Sequence, residues 1–174
     1  MEVLERVRRT EFLGRDFLIW LWFKSETNGR RFDLGDLGTV ELWFDGRVTL
    51  QSDGDTCAET ITCSGENPPL REARFALTKG KKVTQAALRL ILGDNEWSFT
   101  LDSTWLNFKS LKIPAVAYDK KDDPDGLFYE RIFLIEQPLR AIDTLFSAFI
   151  KTRTSPEWDT QELPVLMEWI NQGK

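Results

Sequence analysis

Between residues 67 and 89 the basic side chains Arg71, Arg74, Lys79, Lys81, Lys82 and Arg89 stand against Glu72 alone, a local net charge of +5. Clustered cations with no base-reading motif suit contact with a phosphate backbone, where attraction needs charge and not sequence. The surroundings are opposite in sign. Residues 26–66 sum to −6 and the last twenty to −3, so the 174-residue chain totals −5, from 23 Lys plus Arg against 28 Asp plus Glu. An overall acidic balance argues against a simple nucleic-acid binder, yet the total conceals one basic stretch. A solvated face is the plainer account of that stretch, and Lys79 near a helix C-terminus would also complement the helix dipole.

Other chemistries are narrower. The chain contains no histidine, so a Ser-His-Asp triad, a Cys-His dyad or an imidazole-bound zinc or iron site cannot be built within it. The acidic run Asp119, Asp122, Asp123, Asp125 fails as a calcium loop. With Gly126 at the sixth position, Lys121 falls at the first and Ile132 at the twelfth, and both are wrong for ligands. A solvated turn is expected there, and no cofactor. The glycines of TNGRRFDLGDLG match neither a dinucleotide nor a P-loop fingerprint. Cys57 and Cys63 in one extended segment would lie roughly 20 Å apart, beyond disulfide reach. They read as reduced packing residues of a cytosolic protein. Trp20, Trp22, Trp43 and Trp97 could stack bases, but three of them lie in apolar contexts or on a packed strand face, which favours the core.

The elements that must position these groups follow from periodicity. Residues 11–26 predict a helix capped by Thr10 and apolar on nearly every side through Phe17–Phe23. Such a helix is deeply buried or meets another subunit. That apolar run is too short to span a bilayer, and no membrane association is expected. After a polar link over 27–38, VELWF-DG-RVTLQS predicts a hairpin with Gly46 as a left-handed bulge residue, pairing Leu42 with Val48 and Val40 with Leu50. Residues 55–63 predict a third strand. Asn67-Pro68 starts a short helix through Leu70, Ala73 and Leu77 that Gly80 closes.

Ala86, Leu88, Leu90 and Leu92 then share one face with Trp97, Phe99 and Leu101 across a loop at 93–96, the strongest hairpin signal in the chain. Residues 107–117 predict an edge strand, 119–126 an exposed loop, and 127–135 a buried strand. Pro138 opens a helix through Leu139, Ile142, Leu145, Phe146, Phe149 and Ile150. A last acidic helical segment runs from Ser155-Pro156 toward Gln172. Helices and hairpins without alternating βαβ units make the chain α+β: one domain over 1–174, in which 155–174 forms a C-terminal helical appendage.

GKKVTQAALRL at 80–90, EWSFTLD at 96–102, NFKSLKI at 107–113 and FYERIFLIEQPLRAIDTLFSAFI at 128–150 together resemble the C-terminal part of the recombination-associated protein RdgC family. FLGRDFLIWLWFKSE resembles a segment preceding that region in long RdgC-like proteins. The resemblance implies a non-enzymatic, nucleoid-associated binder of double-stranded DNA with little sequence preference, acting in recombination or replication. It implies a ring-like homodimer, and it places Lys81 and Thr84 on a Gly-Lys-x-Val-Thr run and Lys109 and Lys112 on a basic segment that meets DNA. Gln85 and Ser110 depart from the pattern where basic residues are expected.

The family's N-terminal half has no counterpart here, so a homodimer, or a partner supplying that half, is expected in place of a ring. With Arg71, Arg74, Lys79 and Lys82, the expected contacts would give a modest, strongly salt-dependent affinity, since each neutralised phosphate adds about 0.9 to the salt slope. The alternative is a protein-interaction module that keeps the fold without touching DNA.

Overall fold

A computed structural model describes residues 3–52, 59–65, 70–116 and 123–172, with side chains from Phe12 onward except those of Leu70 and Arg71. It has an α+β architecture with a six-stranded antiparallel sheet covered on one face by helices. Helix α1 spans Val3–Thr27 and β1 Arg31–Asp33; β2 runs Thr39–Gln51 and β3 Thr60–Gly65. Helix α2 is Leu70–Thr78, followed by β4 (Lys82–Leu92), β5 (Asn95–Asp102) and β6 (Asn107–Lys112). Helix α3 covers Pro124–Arg153; a π-helical turn at Trp158–Glu162 leads into α4, Leu163–Asn171. Among the described residues no helix is long and apolar enough to cross a membrane.

Strand order is β1-β2-β4-β5-β6, with β3 sharing an edge of β2. The β4–β5 hairpin forms as its alternation predicts, pairing Leu90 with Trp97, Leu88 with Phe99 and Ala86 with Leu101. Because paired residues point to the same side, this register places one continuous apolar face against α1 and its neighbours. Phe17, Leu18, Leu21 and Trp22 of α1 are wholly buried there. Trp22 stacks on Phe44 at 5.7 Å, and Phe17 meets Phe146 and Phe149 of α3. The C-terminal segment belongs to the same core through Trp158, Leu166, Trp169 and Ile170. Trp169 packs edge-on to Trp22 and donates its indole N–H to Glu26.

Four expectations are corrected. Thr10 lies inside α1, which begins at Val3. Asp45-Gly46 is not a hairpin turn. Strand β2 runs straight through it, and both halves pair with β4, Glu41–Phe44 against Leu88–Ile91 and Val48–Gln51 against Lys82–Ala86. Gly46, at φ +79°, sits in a bulge. Three residues of β2 separate Phe44 from Val48, but only Ala87 separates their partners Leu88 and Ala86. An excess of two leaves the facing of the strand unchanged, so Val40, Leu42, Val48 and Leu50 still line one buried face.

Residues 127–135 are not a strand, and Pro138 does not open a helix; both lie inside α3. The helix starts instead at Pro124, where the Asp123 carboxylate accepts from the Asp125 N–H at 3.2 Å. A proline inside a helix leaves the carbonyl four residues earlier without its usual donor. That carbonyl belongs to Leu134, and the buried Trp97 indole N–H donates to it at 2.7 Å. The helix continues because β5 supplies what Pro138 cannot.

The polar link contains β1 and a 3-10 turn at Gly35–Leu37. Gly80 closes α2 at φ +83°, as expected. Cys63 is buried and free, and burial, with Glu72 nearby, pushes its thiol pKa up. Cys57, Asn67-Pro68, Asp119 and Asp122 lie outside the described residues.

Candidate nucleic-acid interface

The basic stretch is divided by a second irregularity. Thr49 pairs with Gln85 and Leu50 with Val83, so Thr84 is an extra residue on β4. One extra residue, unlike two, reverses the facing of everything before it. Val83 and Lys81 therefore point into the interior while Ala86, Leu88 and Leu90 do so beyond the bulge. Lys81 is only 8% exposed, and its Nζ bonds the Glu59 carboxylate at 3.0 Å and the Glu59 carbonyl at 3.3 Å. A phosphate could reach it only by breaking that pair. Thr84 donates its hydroxyl to the Thr49 carbonyl and so holds the bulge closed.

The remaining cations near α2 are partly engaged. Lys82 lies 3.4 Å from Asp16 of α1, and Arg74 lies 3.8 Å from Glu26 with its guanidinium over Trp169. Lys79 is exposed beside Phe75. The Arg71 side chain lies outside those described. Among the described residues the segment is thus basic in sequence but does not form one free basic patch.

Lys109 and Lys112 behave differently. Lys109 pairs with Thr100 and Lys112 with Ser98, so register places both on the sheet face opposite the helices. Ser110, at φ +54°, lies in the irregularity between them. Ser98 pairs in turn with Arg89 and Arg89 with Trp43. The same face continues through Gln85, Thr49 and Thr62. Among the described residues no helix covers it, and hydroxyl and amide groups lie between its cations.

Two features order this face. Asp102 of β5 accepts from Gln85 of β4 at 2.9 Å and from Lys109 of β6 at 2.7 Å, tying three strands together. Two guanidiniums lie over the Trp43 ring, Arg30 at 3.4 Å and Arg89 at 4.9 Å from its centroid. Arg89 also neighbours Asp45 and Glu96. Core packing is expected for three of the four tryptophans, and Trp20, Trp22 and Trp97 are buried, while Trp43 is half-buried on the open face. Arg47, exposed and paired with Ser64 on the side opposite buried Val48, adds a further cation to this face, and neither it nor Arg30 follows from the basic stretch read in the sequence. For Arg47 the signal was available, because alternation from Val48 puts it opposite the core.

Burial raises the Asp102 pKa, but the Lys109 ammonium and the Thr104 N–H more than offset it, and the net shift is downward. A carboxylate depressed in the folded state stabilises above its unfolded pKa and loses that contribution as pH falls through the folded one. The stability difference between wild type and Asp102→Asn is therefore expected to hold at neutral pH and shrink below about pH 4. Urea titrations across that range measure it.

Among the described residues no three or more His, Cys, Asp or Glu side chains gather closely enough to hold a metal ion. The chain matches no known protein-family profile, and no curated protein matches it.

Proposed function

We infer that the protein is a non-catalytic, sequence-non-specific DNA-binding protein, with a role in recombination or replication like that of the RdgC family it resembles. The observation that carries this reading is the sheet face opposite the helices, where Lys109 and Lys112 share a side with Arg89, Gln85, Thr49 and Thr62. Lysine, arginine, hydroxyl and amide donors are the groups that hold a duplex by its phosphates without reading bases. Lys109 enters such contacts from its pair with Asp102, which keeps the expected affinity modest.

Fluorescence anisotropy with a short duplex, over about 50 to 300 mM salt, tests the reading. Binding should weaken steeply with salt, and Lys109→Ala/Lys112→Ala should lower the slope by up to about 1.8. Lys81→Ala should leave the slope nearly unchanged and act on folding stability instead. Absence of binding at the lowest salt would sink the proposal.

A second reading, a protein-interaction module without direct DNA contact, draws on a different observation. Phe128, Tyr129, Phe133 and Leu139 of α3 are largely exposed, an apolar surface of the kind that marks protein contacts.

A further inference from the structure

Strand β3 pairs with Gly46–Gln51 of β2 on one side, and among the described residues no strand pairs with its other edge. Which backbone groups that edge presents follows from one bond. The Ser52 N–H donates to the Glu59 carbonyl at 3.2 Å, and in an antiparallel ladder every second pair is bonded in this way. Ile61, Cys63 and Gly65 therefore bond β2, while Thr60, Thr62 and Ser64 turn N–H and C=O outward. The side chains divide by the same alternation. Thr62 lies beside Thr49 on the open sheet face. Ile61 and Cys63, opposite the buried Leu50 and Val48, face α2.

Between this edge and α2 runs a groove of about 480 Å³. Ile61 and Cys63 form one wall and Phe75 and Ala76 the other, with Ile61 39% and Phe75 49% exposed. Its two ends differ in charge. Glu72 lies near Cys63 at one end. Lys79 and Lys81 lie at the other, where Lys81 holds Glu59. Lys79 is in no ion pair among the described residues. The Glu59 side chain is 81% exposed, so it can yield its place on Lys81 to another carboxylate and return to water.

We propose that this groove binds the C-terminal tail of another protein, added to β3 as an antiparallel strand with its terminal carboxylate on Lys79 and Lys81. A strand laid along an open edge gains backbone hydrogen bonds whatever its sequence, and its alternate side chains give selectivity. Residues opposite Thr60, Thr62 and Ser64 make the bonds. Those opposite Ile61 and Cys63 place apolar side chains against Phe75 and Ala76. The charges choose the direction. A chain antiparallel to β3 ends beside Thr60, so its carboxylate meets the lysines and its earlier residues approach Glu72, where a basic side chain suits. A parallel chain would carry its carboxylate to Glu72. The tail is thus apolar at its second and fourth residues from the end, with a cation further back. This contact stands whether or not the opposite sheet face binds DNA.

A fluorescein-labelled KTVTVT peptide with a free carboxylate tests this by anisotropy, beside the same peptide amidated. The free acid should bind with Kd below about 1 mM, and amidation should weaken it about tenfold, the effect of one charge-assisted hydrogen bond. Lys79→Glu, at an exposed position, should weaken it as much. Glu59→Gln, which removes the competing carboxylate, should tighten it about threefold. Thr62→Pro removes an N–H that only the peptide uses and should abolish binding; where proline disturbs the strand, Lys79→Glu carries the test. Amide hydrogen exchange should show Thr60, Thr62 and Ser64 slowed by the peptide, with Ile61 and Cys63 already slow without it. No binding at about 1 mM peptide, equal affinity for acid and amide, or an affinity untouched by Lys79→Glu would each overturn the proposal. Edge amides already slow without peptide would overturn it too, revealing cover by the chain's own residues if slow at every concentration, or by a second copy if slow only in concentrated solution.

Discussion

Gly14→Ala should lower the folding free energy by about 3 kcal/mol, the upper range for overpacking a filled site. Helix propensity predicts the opposite sign, because alanine inside a helix is favoured over glycine by roughly 0.5–1 kcal/mol. The steric effect wins because of what α1 crosses. A Cβ at Gly14 would overlap the backbone carbonyl of Ser103, in the turn after β5. Backbone cannot rotate aside as a side chain could, so either the helix or the turn must move. Gly126→Ala in α3 is the control, since its nearest neighbour to an added Cβ is Asp123 at 3.9 Å. It should gain a few tenths of a kcal/mol from propensity alone. Urea unfolding of the two variants beside wild type gives both signs in one experiment, and a stabilised Gly14→Ala protein would refute the close approach.

The second large effect lies where β5 meets α3. Trp97→Phe removes the indole N–H that serves the Leu134 carbonyl. Leaving a buried acceptor unpaired costs about 1–3 kcal/mol. The lost ring volume adds to it, because Trp97 is only 1% exposed, and a total of about 2–4 kcal/mol is expected. A merely packed tryptophan would show a similar loss, so the distinguishing measurement is a double-mutant cycle with Pro138→Ala. Alanine at 138 restores the N–H that the Leu134 carbonyl lacks. Pro138→Ala should therefore help the Trp97→Phe protein by about 1 kcal/mol more than it helps wild type. Simple additivity would show that the two residues do not share that carbonyl.

The same pair shows where the sequence was legible and where it was not. The β4–β5 hairpin could be read directly, because Leu88, Leu90, Trp97 and Phe99 alternate cleanly around Gly93-Asp94. The α+β class and the buried α1 followed from similar local regularities. Residues 127–135 misled for a physical reason. A helix with one apolar face toward the core and another toward solvent has almost no polar side left, and reads like a buried strand. Pro138 then looks like a helix start, since nothing local announces that a tryptophan forty-one residues earlier will replace its missing bond.

Asp45-Gly46 misled differently. A positive-φ glycine is required by a hairpin turn and by a bulge alike, and only pairing with β4 decides between them. Of the candidate cations, Lys109 could be placed by alternation along β6, whereas Lys112, three residues on, shares its face only through the irregularity at Ser110. Lys81 could not be placed either, because its inward turn depends on the irregularity at Thr84, which depends on the register of β2. The Arg30–Trp43–Arg89 stack joins three segments distant in sequence and left no local trace.

The two irregularities also set a rule for how the chain can change in length. Near Asp45 the strand carries an even surplus over its neighbour, and near Thr84 an odd one. Residues added or removed in pairs beside Gly46 would leave Val48 and Leu50 facing inward. Deleting Thr84 alone would remove that surplus and still leave Lys81 and Val83 facing inward, because Leu50 already pairs with Val83 and Thr49 with Gln85. Adding one further residue there would instead present Lys82 to the core. The chain can therefore change in length by twos between Leu42 and Val48, and between Lys81 and Ala86 by the single residue that stands outside the ladder.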